Sequence, residues 1–222
     1  ALAPPHAALE AEFLLALRLE GRHEESLARI LSLPPRERDD YRVLKFHIYA
    51  LCDAGRPDDA LTLLCSSPQM RLWEGEVLPH KYYLDCLLAT GLRELQAGRF
   101  AHAEKAFRRM LRYPASLGHG KPLVCNEAIA YYHLGLVAES MGQEAKARAL
   151  WMVAAAQDQA HAHHWISYRE NEFFGGLAAR KLDDQEAVRT IAHRLSHGYS
   201  GRGSAEMLDI PIQMQVWRRD LA

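Results

Sequence analysis

Apolar residues recur along the chain three and four positions apart, the spacing that gathers them on one face of an α-helix. The period is clearest over residues 131–156, Tyr-Tyr-His-Leu-Gly-Leu-Val-Ala-Glu-Ser-Met-Gly-Gln-Glu-Ala-Lys-Ala-Arg-Ala-Leu-Trp-Met-Val-Ala-Ala-Ala. It predicts two short amphipathic helices folded back on each other around Gly142. Small residues at Gly135, Ala138, Ala147 and Ala154 let the helices approach closely, and Leu134, Val137, Leu150 and Trp151 supply the apolar filling. Four other stretches repeat the design: 7–33 around Gly21, stopped by Pro34-Pro35; about 39–66 around Gly55; about 79–112 around Gly98; and about 169–197. In the last of these, Gly176, Ala187 and Ile191 are kept, Asp183 replaces the turn glycine, and the turn reads as one residue shorter. Asp tolerates the left-handed conformation better than most residues, so the turn is expected to survive. The pattern therefore predicts an all-α chain of about five helix pairs in one domain over 1–198, followed by a linker and apolar tail over 199–222.

Between the anchors Gly21, Gly55, Gly98, Gly142 and Asp183, only the first interval has a standard repeat length, and each later one is longer. The additions, 67–80, 112–122 and 157–168, all fall between the second helix of one pair and the first helix of the next. They are expected to emerge along one edge.

A small residue, a turn glycine, an alanine and a bulky residue follow in fixed order: Gly91, Gly98, Ala103 and Phe107, then Gly135, Gly142, Ala147 and Trp151. This order resembles the tetratricopeptide repeat, and the resemblance implies a right-handed solenoid of helical hairpins whose first helices line a groove. From Trp73 onward the chain also resembles the helical half of a bacterial family of unknown function, in which a β-sandwich thought to be carbohydrate-related precedes a run of such repeats. The matching marks are Trp73-Glu-Gly75, Tyr113-Pro-Ala-Ser-Leu-Gly-His-Gly-Lys121, the Tyr131-Tyr-His-Leu-Gly-Leu stretch and Phe173-Phe-Gly-Gly-Leu-Ala-Ala-Arg-Lys-Leu182. This second resemblance implies that the chain is the repeat half of a longer protein, as does a start without Met.

Composition adds limits. With 222 residues, 49% of them hydrophobic, the chain can bury a core without a disulfide or metal. A formal charge of −1 gives no global reason to bind nucleic acid or an anionic membrane. No apolar run approaches the roughly 20 residues of a membrane span, and no signal peptide opens the chain, so a cytoplasmic protein is expected. Cys52, Cys65, Cys86 and Cys125 form no CxxC pair and read as reduced core residues.

Candidate chemistry is thin. His161, His163 and His164, with His119 or His133, are the best metal set, but no carboxylate or cysteine completes it, so neither metal nor cofactor is expected. Leu117-Gly-His-Gly-Lys-Pro122 lacks the Ser or Thr that follows the lysine of a phosphate loop and reads as a turn placing Lys121 on the edge. Trp73-Glu-Gly-Glu76 offers an aromatic face between carboxylates, a surface for a sugar ring or a cover for the core. The expectation is thus a non-catalytic scaffold for a protein partner or for its own missing N-terminal domain. Its binding candidates are Trp73, Glu74, His119, Lys121 and Trp165 on the inserted edge. On the first-helix face they are Arg42, Lys45, Tyr49, Asp85, Tyr132, Glu139, Glu170 and Arg180. Mixed signs on that face argue against an acidic peptide or nucleic acid there. The alternative is an accessory part of a carbohydrate-active protein, with Trp73, Glu74, His119 and Lys121 beside the sandwich.

Overall fold

Each helix pair turns on a single residue in the left-handed conformation. In a computed structural model describing residues 6–70, 79–118, 120–121, 125–157 and 169–197, Gly21, Gly55, Gly98 and Gly142 have φ between 71° and 73°, and Asp183 has φ 63°. Every one of these turns closes with the same two backbone hydrogen bonds, as in Arg22 N–H to Leu17 O with Gly21 N–H to Arg18 O, and Asp184 N–H to Ala179 O with Asp183 N–H to Arg180 O. This double closure satisfies the last carbonyls of the first helix and reverses the chain.

The helices so joined are α1 (His6–Leu19) with α2 (His23–Ser32), α4 (Tyr41–Asp53) with α5 (Pro57–Ser66), and α6 (Pro79–Gln96) with α7 (Phe100–Arg109). They continue with α8 (Ala128–Ser140) and α9 (Glu144–Ala155), then α10 (Arg169–Lys181) and α11 (Gln185–His197). A short helix, α3 (Pro35–Arg38), stands between the first two pairs. It was not expected from Pro34-Pro35: Pro35 does end the preceding segment, but its fixed φ also suits the first position of a new helix, where the missing N–H is not needed. Asp40 then caps α4, its carboxylate accepting from Arg42 N–H at 3.0 Å. The described residues contain no strand.

Within a pair, packing follows size. A Cβ added at Gly91 would lie 2.2 Å from the Phe107 ring, and one at Gly135 would lie 2.2 Å from Trp151 Nε1. Glycine alone lets the large ring of the second helix reach the backbone of the first. The fifth pair departs from the sequence reading in a specific way. Its turn, Leu182-Asp183-Asp184, is as long as the others, and the missing residue is instead taken up in α11. There the smaller Ile191 meets Gly176, with 3.2 Å to an added Cβ.

Each pair also packs on the next, α1 and α2 on α4, α5 on α6, α7 on α8, and α8 and α9 on α10. One continuous core runs between them through Leu14, Leu17, Ile30, Val43, Ile48, Leu64, Leu87, Phe107, Val137 and Phe174. The segment after α7 turns back: its short 3-10 turn, Ala115–Leu117, packs on α5, and Leu117 is buried in the core. This return shapes the inserted edge.

Candidate functional site

The first helices bring several of the expected residues together and tie others down. Tyr49 of α4 donates its hydroxyl to Asp85 of α6 at 3.4 Å and meets Tyr82 edge to face. Two residues not singled out in the sequence complete this cluster. Arg18 lies 3.8 Å over the Tyr49 ring and reaches Asp53 at 3.6 Å, and Lys81 grips Asp85. Lys81 was legible, since it stands four residues before Asp85 on one helix face. Arg18 was not, because its partners lie on the next pair.

Arg42 is held locally, its guanidinium bonded to both oxygens of Asp40 at 2.8 Å, and this keeps the Asp40 carboxyl below its usual range. Glu139 of α8 is bound by Lys181 of α10 through both carboxylate oxygens at 2.8 Å, and that ammonium also sits 4.9 Å from the Trp151 ring. Tyr132 packs against Phe174 and His133. Burial, helped by the Glu139 charge, pushes its phenol pKa up, while Arg180 pulls it down. Lys45, over the Phe46 ring at 5.1 Å, and Arg180 make no ion pair among the described residues. They are unmatched cations among the described residues of this face. α10 is described but the Glu170 side chain is not.

Of the inserted edge, Trp73, Glu74, His119 and Trp165 lie outside the described residues. Lys121 lies within them, and it is bonded to Glu127 at 2.5 Å, an ion pair that holds it beside the start of α8. His133 is buried, stacked on Phe107 at 5.0 Å, and its Nδ1–H donates to Ile129 O at 2.7 Å. Burial lowers its pKa to about 4, so the ring is neutral at ordinary pH. All four cysteines are free, and the Sγ atoms of Cys52 and Cys86 are 3.7 Å apart. That contact and burial push the Cys86 thiol well above the usual range.

The edge also holds a cleft of about 730 Å³ that sequence reasoning missed. Its wall is the outer face of α7, with Ala101, Glu104, Lys105, Arg108 and Arg109; Tyr83 of α6 and the returning segment Arg112-Tyr113-Pro114 close it. Tyr83 donates its hydroxyl to Arg109 O at 3.3 Å, and Tyr113 stacks on His80 at 3.8 Å. Burial raises the Tyr83 pKa, while the Arg109 and Arg112 charges lower it. Part of the signal was present in the sequence: Lys105, Arg108 and Arg109 are spaced i, i+3, i+4, a basic stripe on one face of α7, and Arg112 follows in the segment beyond the helix.

Among the described residues, no helix is long and apolar enough to cross a membrane, and no cluster of three or more His, Cys, Asp or Glu is placed to hold a metal ion. Compared with models of protein families, with curated proteins and with solved structures, the chain matches none.

Proposed function

We propose that the chain is a right-handed solenoid of tetratricopeptide-like helix pairs and that it acts as a non-catalytic scaffold, holding a protein partner or another domain of its own polypeptide. The observation that carries this reading is the repeated unit. Five pairs share one turn geometry, and three successive pairs seat a large second-helix side chain on a first-helix glycine. Such a plan makes an extended surface from one packing rule, the usual basis of a binding array. Two of the candidate groups among the described residues are otherwise engaged. The His133 ring is packed and bonded to its own helix, and Lys121 is tied to Glu127. A solvent-facing set of nucleophile and base does not form from them.

The test is quantitative capture by the immobilised chain, wild type against a Lys45→Glu/Arg180→Glu variant whose circular dichroism is unchanged. A scaffold retains at least one protein stoichiometrically, and the charge reversal on the first-helix face weakens that retention. Turnover of chromogenic glycosides by the purified chain would sink the reading.

A further inference from the structure

We propose that the cleft on the outer face of α7 is a binding site for an acidic peptide segment of the partner. The inference rests on the scaffold reading and adds to it a location and a ligand chemistry.

Four cations line the cleft against one carboxylate. That carboxylate, Glu104, is already neutralised: Arg108 bonds it at 2.8 Å and Lys146 of α9 at 3.2 Å. Lys105, Arg109 and Arg112 make no ion pair among the described residues. The local excess of positive charge therefore stands in a chain whose formal charge is −1. On the first-helix face, by contrast, most charged groups among the described residues are matched.

Geometry selects among anions. Lys105, Arg108 and Arg109 lie on the last turn and a half of α7 and Arg112 follows on the returning segment, so the cations are spread along the cleft wall over two segments rather than set on one turn. A single phosphate would reach only part of that row. Carboxylates at alternate positions of an extended peptide are about 7 Å apart on one side of the strand, so two or three of them match it. The guanidinium groups of Arg109 and Arg112 suit carboxylate pairing by two parallel hydrogen bonds. Ala101 and Pro114 offer apolar contact for the intervening side chains.

Nucleic acid fits less well. The basic row is confined to one helix and its following turn, whereas a nucleic-acid surface needs a broad positive field. The two aromatic rings of the cleft are also committed. Tyr83 is buried, and Tyr113 is stacked face to face with His80. No open ring remains there as a platform for a base.

The experiment is fluorescence anisotropy with a fluorescein-labelled octaglutamate peptide and the full chain. Wild-type protein is expected to bind it in a salt-sensitive manner. Arg109→Glu/Arg112→Glu is expected to weaken binding at least about tenfold, while Arg109→Lys/Arg112→Lys retains most of it. Lys45→Glu/Arg180→Glu, on the first-helix face, should leave the peptide affinity unchanged. Equal binding by wild type and the Glu variant overturns the proposal. So does tighter binding of a single-stranded oligonucleotide of equal charge, displacement of the peptide by inorganic pyrophosphate at matched ionic strength, or wild-type self-association that the Glu variant abolishes. Because this assay needs no partner, its failure removes the cleft site and leaves the capture result standing. Loss of capture with intact peptide binding does the reverse.

Discussion

At the scale of a residue, His133 turns burial into a pH dependence with a definite sign. Its pKa falls from 6.5 to about 4 on folding because burial penalises the charged ring. Below pH 6.5 the unfolded chain takes up a proton that the folded chain refuses until about pH 4, so stability falls as pH drops through that window and levels off beneath it. The depth of this loss is about 3 kcal/mol. His133→Phe, which keeps a ring between Phe107 and Phe174, is expected to flatten the acid limb of a urea-denaturation series between these pH values; an unchanged limb would refute the assignment. Gly135 gives a second case. Its missing Cβ is where the Trp151 indole sits, and that indole donates to Tyr132 O at 3.2 Å, which leaves it little freedom to move. Gly135→Ala should cost about 1–3 kcal/mol, recovered in part by Trp151→Leu in the same chain. At Gly176, where Ile191 stands farther off, the same substitution should cost clearly less, measured as the shift in chemical denaturation midpoint. The glycines were legible in the sequence because each contact is local to one pair and has a fixed spacing. The engagement of Glu139 was not, because its partner Lys181 is 42 residues away and only the stacking of pairs brings them together.

At the scale of an element, the five turns act as one construction used repeatedly, and Asp183 is its strained copy. A non-glycine residue at φ 63° carries a Cβ that crowds its own backbone. Asp183→Gly removes that crowding, and the gain is expected to be a few tenths to about 1 kcal/mol, read as a small rise in thermal midpoint. A fall would mean that the Asp183 side chain does more than tolerate the turn. The sequence pattern located each of the five described hairpins because glycine, proline and periodic apolar residues act within one pair. It missed α3, since a proline pair signals a stop and a start in the same letters. It also read the fifth copy as short in the turn, where the structure shows a full turn and a shifted α11. A count of residues between two marks cannot tell which element has absorbed the difference. The α7 cleft escaped for a related reason: its basic stripe is plain in the sequence, but the wall facing it comes from a segment that turns back on α5.

At the scale of the whole molecule, neighbouring pairs are joined by apolar contact and stitched at the surface by ion pairs. Arg18 reaches Asp53; Arg93 spans the Gly55 carbonyl and Asp58 at 3.1 and 2.9 Å; Lys181 reaches Glu139. The Arg93 and Lys181 stitches are largely exposed, so each contributes little beside the buried core, while Arg18–Asp53 is half-buried. Lys181→Ala is expected to lower stability by no more than about 1 kcal/mol, measured by urea denaturation, and a larger loss would assign weight to its contact with Trp151. Cohesion between pairs thus rests on side chains such as Leu87, Phe107 and Phe174.

The two sulfurs of Cys52 and Cys86 belong to different pairs, and their contact makes the chain its own calliper. At 3.7 Å they touch without bonding, whereas a disulfide requires about 2.05 Å, so covalent closure needs the two sulfurs to move together, by side-chain rotation or by approach of α4 and α6. With Cys65 and Cys125 replaced by serine, the two-electron oxidant diamide should remove two hydrogens, a loss of about 2 Da in intact mass. The loss should vanish in Cys86→Ser. The rate of closure then reports how readily the two thiols ionise and reach bonding distance across the seam between pairs, with no label added to the protein.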